Sequence, residues 1–534
     1  MTTLTNLPDG ISILPITKWQ NGHENFEHTF KENCSFKLSI PSSKSTNPYL
    51  DTTRNFQWLI QYALDHDIQL RALGNGWSFS EVAICEGGLV DTKALRLTFN
   101  LKNSFVAPEY LQKGGNAANL FFSECGISIL DLDEKLEKES NPARSLKASG
   151  ASNGQTIAGC TSTGTHGSAF KVGAVHDSIV GLHIVVGPDR HVWIEKKSNP
   201  VASDDFIKWL GAEAIKDDDM FNAAVVSFGS FGFIHGILIE TEPIFLLEQY
   251  RTGNIVYNDS LKQVMNRLDL SSIQNQLPSS PDAAAGELYH FEILVNLQMF
   301  EPDNSQKGVY FKTMYKVPYR DDYSKIVVDD HGFTYGDDLL GVVESALDAL
   351  GPELSSLLVP GLVNKLFPLA FTANQSMTGT IGETFSNTKF RGKAASAAIA
   401  VQSDSASAVL EEIVAINKVT PFAGALALRY VKGTDALLGF THFPKTCIME
   451  LDGVDCDLSR SFIKKVWTRL DELNIPFTMH WGKFNFGLTP ALVNKMYGEK
   501  LRKWKACRKQ LLSDDVQKVF TNNFMLQCGL CDYQ

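Results

Sequence analysis

The sequence lacks the paired-cysteine framework of a small secreted domain. Its nine cysteines (Cys34, Cys85, Cys125, Cys160, Cys447, Cys456, Cys507, Cys528 and Cys531) are scattered and odd in number, a usage that suits a reducing compartment. The lone C-x-x-C at Cys528 and Cys531 has no second Cys/His pair at metal spacing, so no metal site is expected. The first twenty residues carry neither a basic stretch nor a long apolar run. No signal peptide is visible, and the expected location is cytoplasmic. Membrane-length apolar runs are missing too. The most apolar stretch, Leu339 to Phe371, is interrupted by Glu344, Asp348, Glu353, Lys365, Pro352, Pro360 and Pro368, and reads as no transmembrane helix. Positive charge is not in excess: 49 basic against 60 acidic residues leaves −11, which argues against nucleic acid or anionic lipid as a general partner. The fingerprint G-x-G-x-x-G is absent as well.

What is present is ordinary globular composition, 44% hydrophobic and 20% charged over 534 residues, with no internal repeat. Residues 1–45 are polar and irregular. Phe56, Leu59, Ile60, Ala63 and Leu64 recur at helical spacing and predict a helix over 52–66. Ile68 to Leu73 then alternates as a strand and runs into Gly74-Asn75-Gly76, a mononucleotide-type order of helix, strand and glycine turn. A strand–turn–strand is expected from Val180 to Ile194, and a short helix, glycine turn and long β run over 218–242. Further β segments are expected over 288–297, 311–317, 424–431 and 446–451. Segments 396–416 and 459–473 read as amphipathic helices, and 338–372 as broken helices. The class is α+β, in two large units that meet near residue 250.

Three glycine-rich strings stand out. Gly74-Asn75-Gly76-Trp77-Ser78 could be a plain tight turn or a nest of backbone N–H groups for a pyrophosphate. Gly154 to Ser168 holds four glycines beside four Ser/Thr hydroxyls (Thr161, Ser162, Thr163 and Thr165) in its centre, which suits an ordered loop in close contact with phosphate or cofactor. Phe221 to Gly236 mixes small and bulky apolar residues, as a bulged buried strand does, or a backbone packed flat against a ring.

In this order and spacing the strings resemble the FAD-binding domain of the vanillyl-alcohol oxidase / p-cresol methylhydroxylase family, and most of all its aldonolactone and alditol oxidase branch. The carrying motifs are Gly74 to Ser78, Ala158 to Gly167, Ser227 to Gly232, His480-Trp481-Gly482-Lys483 and Phe520-Thr521-Asn522-Asn523-Phe524. They span roughly residues 50–250 and 420–530. The resemblance implies an N-terminal extension (1–45), a two-subdomain FAD-binding domain (46–250), a substrate domain (251–475) and a C-terminal segment (476–534) that returns to the flavin. It implies cofactor contacts at Gly74, Asn75, Gly76, Trp77 and Ser78. On the second string and the loop before it they fall at Gly150, Ala151, Gln155, Gly159, Thr161, Ser162, Gly164, His166 and Gly167. Gly232, Ile234, His480 and Asn522 complete the set. The chemistry implied is hydride removal from a CH–OH donor by an oxidase, with a small-molecule alcohol and O2 as partners. A dehydrogenase with another acceptor, or a binding protein without turnover, is the alternative.

The departures from the pattern matter as much. Arg429 matches the arginine of the branch's E-x-R strand, but the glutamate position is Ala427, and Glu450 stands where the polyol branch tends to place a histidine. Glu450 is either a solvent-facing strand residue or a carboxylate at the flavin, and Glu292 presents the same choice. Lys483 is expected to polarise the donor hydroxyl and stabilise negative charge at the ring, with Arg429 doing the same at the other edge. Gly150 aligns where a small residue leaves room for O2. The apolar Leu339 to Phe371 could line an entrance for a hydrophobic alcohol, or be an ordinary helical cap.

Trp77 stands where many relatives carry the histidine that bonds covalently to the flavin, and Cys160 reads as a packing residue rather than a second linking site. The flavin is therefore expected to be dissociable: acid precipitation should leave the yellow colour in the supernatant, and colour retained in the pellet would refute this.

Overall fold

A computed structural model describes residues 6–42, 46–277, 287–324, 377–387 and 393–532, with the single positions 358, 361, 362, 365 and 390. The stretch 339–371 therefore lies almost wholly outside the described residues, and with it the broken helices read over 338–372. Among the described residues, three main sheets carry the architecture.

The first sheet has four strands, in the order Ile11–Ile13, Phe36–Leu38, Gly88–Asp91, Leu70–Leu73. The three strands after Ile11–Ile13 are mutually parallel, as a helix–strand–turn unit requires. The helix Pro48–Asp65 covers them, burying Phe56, Leu59, Ile60 and Ala63 against Phe36, Leu38, Leu70 and Val90. It starts four residues earlier than the apolar rhythm indicates because Asn47 caps it, accepting from Leu50 N, and Pro48 fills the first turn. The separation of residues 1–45 as an extension needs correction. Phe36 and Leu38 are fully buried, and their strand pairs with Gly88–Asp91, so the polar start of the chain builds part of the first unit.

The second sheet has six strands, in the order Glu213–Lys216, His191–Glu195, Ile179–Val185, Phe233–Glu240, Leu120–Glu124, Thr98–Asn100. The strand–turn–strand over 180–194 is an antiparallel hairpin with Leu182 opposite Ile194.

The third sheet has eight strands, in the order Met377–Gly379, Phe245–Ile255, Val309–Pro318, Glu287–Val295, Gly424–Lys432, Lys445–Val454, Ala394–Gln402, Phe477–Met479. Its two faces differ, as a period of two dictates. On one face Phe291, Ile293, Phe311, Leu428, Met449 and Ile399 share a core with the helices Asp259–Arg267, Ala406–Val419 and Asp457–Glu472. The other face presents Lys312, Glu292, Arg429 and Glu450. Here one expectation fails. Residues 396–416 are not one helix, because Ala394–Gln402 is a strand held on both sides by Lys445–Val454 and Phe477–Met479, and only Ala406–Val419 is helical. Alanine is the best intrinsic helix former, but two-sided pairing and burial override propensity. Ala397 and Ile399 join the apolar core, while Ala398 and Ala400 stay small on the polar face beside Glu450.

The boundaries near 250 and 475 both cut this sheet, through Phe245–Ile255 and just before Phe477–Met479. Beyond them the helices Glu499–Leu511, Asp514–Val519 and Asn523–Gln527 pack on the first unit, with Trp504, Val516, Phe520 and Met525 in its core. Arg508, buried, donates to Ser230 O at 2.9 Å and Gln517 O at 2.8 Å. Asn522 caps the last helix by accepting from Met525 N, and its amide donates to Ile84 O (2.6 Å) and Val82 O (3.3 Å). Replacing Asn522 with Ala should cost about 2 kcal/mol in urea unfolding, since buried carbonyls and a helix N–H lose their partner.

Candidate active site

The three glycine strings converge. Gly74, just after the strand Leu70–Leu73, lies so close to the second string that a Cβ there would stand 2.5 Å from Thr156 Oγ1. Asn75 Nδ2 donates to Gly154 O at 2.5 Å, and the Trp77 ring lies where a Cβ on Gly154 would stand, 2.3 Å away. Gly76 sits at φ +72°, a left-handed turn that favours glycine. The third string meets the second where Phe228 N donates to Ser162 O at 3.2 Å, with Phe228 and Gly229 both left-handed at φ 58° and 69°. Arg71 donates to Phe228 O at 2.9 Å and fixes that bend.

Within the second string Thr156 caps the helix Ile157–Thr163 and Gly164 ends it in the left-handed conformation. Gly159 and Ala151 remain exposed, whereas Gly150 and Gly167 are buried; a Cβ on Gly167 would stand 2.3 Å from Ser149 O. The buried oxygens Thr161 Oγ1 and Gln155 Oε1 have no hydrogen-bond partner among the described residues. Orphaned polar atoms beside a glycine turn of close backbone approach fit a phosphate-bearing cofactor. Gly232 and Ile234, by contrast, serve sheet packing: a Cβ on Gly232 would meet Val185 O at 2.4 Å, and Ile234 pairs with Ile184. Asn522 is engaged entirely by backbone and holds the chain's end to 82–84.

The C-terminal motif joins the first string to the polar face of the eight-stranded sheet. Phe79 N donates to Gly482 O at 2.8 Å and Ser80 Oγ to Trp481 O at 2.6 Å. Ser78 Oγ reaches Gly482 O at 3.3 Å. His480 N bonds Ala398 O, and its ring accepts from Gly482 N at 2.9 Å. This loop delivers Lys483 onto Glu450, with which it forms an ion pair.

Glu450 is the centre of the arrangement. It is fully buried, opposite Ala427 on one side and Ala398 on the other, whose methyl groups leave it room. One carboxylate oxygen faces His166 Nε2 at 2.9 Å and Arg429 at 3.4 Å, and the other faces Lys483. Arg429 reaches across to Glu292 at 2.9 Å, which also meets His290 (3.4 Å) and Lys312 (3.9 Å). Asp452 closes the row, 3.8 Å from Lys483 and bonded by Ser396. Three cations thus alternate with three carboxylates; Glu450, Glu292 and Lys312 are buried, while Arg429, Lys483 and Asp452 are half-buried. Both ring nitrogens of His166 face acceptors, Glu450 and Gly167 O.

Electrostatics follow from this packing. Burial alone would raise Glu450, but Lys483, Arg429 and the His166 hydrogen bond overcome it and hold the carboxyl well below its usual range. Glu292 is likewise held down against burial by Arg429, His290 and Lys312. Burial pushes Lys312 down to about 8 and His290 to about 4, and drives His480 well below the ordinary imidazole value. Asp452 is raised, by burial and then by Glu450.

Lys483, Arg429, Glu450 and His166 are therefore brought together, and Glu450 is no solvent-facing residue. Lys312, His290 and Asp452 were not legible as site residues. Period-two placement on a strand was their only signal, and the pairing that aligns Glu292 with Arg429 joins positions 137 apart in sequence.

An α+β protein with a p-cresol methylhydroxylase-type FAD-domain fold is what this architecture defines. The whole chain superposes on cholesterol oxidase from B. sterolicum with a TM-score of 0.64 over 99% of both chains at 14% identity. A solvent-stable cholesterol oxidase gives 0.65 over 99% of this chain and 100% of the other, also at 14% identity. No family model matches the chain. In sequence it is 27% identical to L-gulonolactone oxidase 3 of Arabidopsis thaliana over 42% of this chain and 38% of that one. It is 24% identical to L-gulono-1,4-lactone dehydrogenase of Mycobacterium tuberculosis over 40% of each, and 24% to D-arabinono-1,4-lactone oxidase of Kluyveromyces lactis over 38% and 33%. The chain thus matches two fifths or less of the length of these relatives, and they bear out its likeness to the aldonolactone oxidase branch. Among the described residues no helix is long and apolar enough to cross a membrane.

Acid should dismantle the charge row. Glu450 and Glu292 have lowered values when folded, so their stabilisation is complete above about 4.5 and is lost as pH falls below it. His480 and His290, kept neutral in the fold, add a penalty as pH falls below about 6.5, because the unfolded chain then binds protons that the fold does not. Urea midpoints should drop steadily from pH 7 to 4, and Glu450→Gln should be less stable at pH 7 by about 3 kcal/mol yet show a flatter acid limb. A Gln variant that tracks the parent at every pH would contradict this.

Proposed function

We propose that the protein is an FAD-dependent oxidoreductase that takes a hydride from the CH–OH group of a small-molecule alcohol, with O2 as electron acceptor and H2O2 as product. The observation that carries this reading is the row of ions anchored by the buried Glu450, which fixes the Lys483 ammonium and the Arg429 guanidinium beside the converging glycine strings. FAD, when bound, supplies hydride acceptance. Gly74 to Ser78, with Gln155 and Thr161, would hold its phosphates and ribityl chain. Lys483 and Arg429 offer fixed positive charge to the donor hydroxyl and to the negative charge that grows at the ring, without reorganisation during the reaction. Glu450 orients both cations and stays ionised; with both oxygens engaged it is a positioning residue, not a proton acceptor.

Gly150 supports O2 as acceptor. That support is its alignment with the position where relatives keep a small residue; here it is buried, and a Cβ would stand 3.0 Å from Thr165 Cγ2 and 3.4 Å from Ser152 O, so a larger side chain would crowd the loop. A dehydrogenase of the same fold is the second reading, favoured by the relative of that name. The donor is a sugar lactone, an alditol or another carbohydrate, or an apolar secondary alcohol. Free cysteines throughout the described chain support a reducing, cytoplasmic setting.

Purified protein mixed anaerobically with a panel of aldonolactones, alditols, sugars and sterols should lose its visible flavin band with one class, and air should restore the band with H2O2 formed. Lys483→Met should slow that bleaching about 10²-fold, the loss of ~3 kcal/mol of transition-state contact, while retaining FAD. Bleaching at the parental rate would remove Lys483 from the site.

A further inference from the structure

The N-terminal residues hide a buried imidazole that the reading above does not use. Between the short strands Lys18–Gln20 and Glu27–Thr29 the chain makes a tight excursion, with Glu24 left-handed at φ 55°. Its conformation is fixed from both sides. Gly22 N donates to Gly76 O at 2.9 Å and Asn21 Nδ2 to Ser78 O at 3.0 Å, both on the first glycine turn. Asn25 Nδ2 donates to Ala394 O at 2.7 Å, at the start of a strand of the eight-stranded sheet, and to Asp455 at 2.9 Å, just after the strand Lys445–Val454. The excursion is a strap between the two units, and it carries His23 at its tip.

His23 is 6% exposed, and neither ring nitrogen has a hydrogen-bond partner among the described residues. Its ring stacks on Phe79 at 4.2 Å and 10° between planes, and stands edge-on to Trp77 at 5.5 Å. Phe79 is tied to Gly482, one residue before Lys483. Burial, and then the charge of Lys483, push His23 down to about 4, so it is a neutral ring able both to donate and to accept. Leaving a polar ring buried without a partner is costly, and a native fold retains such a group where something else supplies the partner.

We infer that His23 is a cofactor-contact residue, its ring nitrogens hydrogen-bonding the ring-bearing half of the bound flavin from the strap between the first glycine turn and the eight-stranded sheet. This rests on the FAD reading. It assigns the strap a second task beyond joining the units, that of completing the site with a residue outside the motifs that carry the family likeness.

The test compares the parent with His23→Phe, which keeps the stack on Phe79 but removes both nitrogens, and with His23→Asn, which restores one amide. FAD-stripped proteins are titrated with FAD and with ADP, which lacks the ring system, and their thermal midpoints are measured without ligand. His23→Phe should bind FAD about tenfold more weakly, ADP unchanged, with an unliganded midpoint equal to or above the parent's, because an unsatisfied polar group has been removed. His23→Asn should recover part of the FAD affinity. Equal FAD affinity in the parent and His23→Phe, or a parallel loss for ADP, would overturn the assignment while leaving the FAD reading intact. A parent that takes up no flavin would overturn both.

Discussion

Glu450 is the constraint on which the site depends. A fully buried carboxylate is stable only if cations and hydrogen bonds replace its water, and here Lys483, Arg429 and His166 do so. Each arrives from a different part of the chain: His166 from the second glycine string, Arg429 from a neighbouring strand, Lys483 from the loop after Phe477–Met479. Satisfying one carboxylate therefore fixes the distance between the glycine strings and the polar face of the eight-stranded sheet. Ionised pairs of this kind contribute little net stability over an apolar core. Their consequence is positional, because removing any one partner leaves another charge buried and uncompensated.

That constraint also explains two features that look like defects. Ala427 and Ala398 flank Glu450 in register, and larger residues at either place would compete with the carboxylate for space. Arg429 turns instead to Glu292, one strand further out, so the cation keeps a carboxylate although Ala427 offers none. The charge row thus extends across neighbouring strands to Lys312, and its Glu292–Lys312 end is buried.

Local signals made most of the framework legible. The helical spacing of Phe56 to Leu64, the alternation of Ile68 to Leu73 and the hairpin around Gly187-Pro188-Asp189 each state their geometry in a few residues. The five motifs pointed to Lys483 and His166, and the E-x-R match to Arg429, because backbone demands and fixed charges leave specific residue types behind. What stayed hidden depends on distant pairing. The strand Ala394–Gln402 has a helical composition and becomes a strand only when two partners claim its edges. Lys312 becomes a site residue only through its cross-strand register with Glu292, which no short window encodes. His23 lies in a polar stretch without periodicity, and only its burial between two units gives it meaning.

The most direct measurement is the reduction potential of the bound flavin in the parent protein and in Lys483→Met. If Lys483 stands at the ring and favours the negative charge gained on reduction, its loss should lower the potential by at least about 30 mV, one power of ten in the two-electron equilibrium. Equal potentials in two proteins that both retain FAD would place Lys483 away from the flavin and contradict the account.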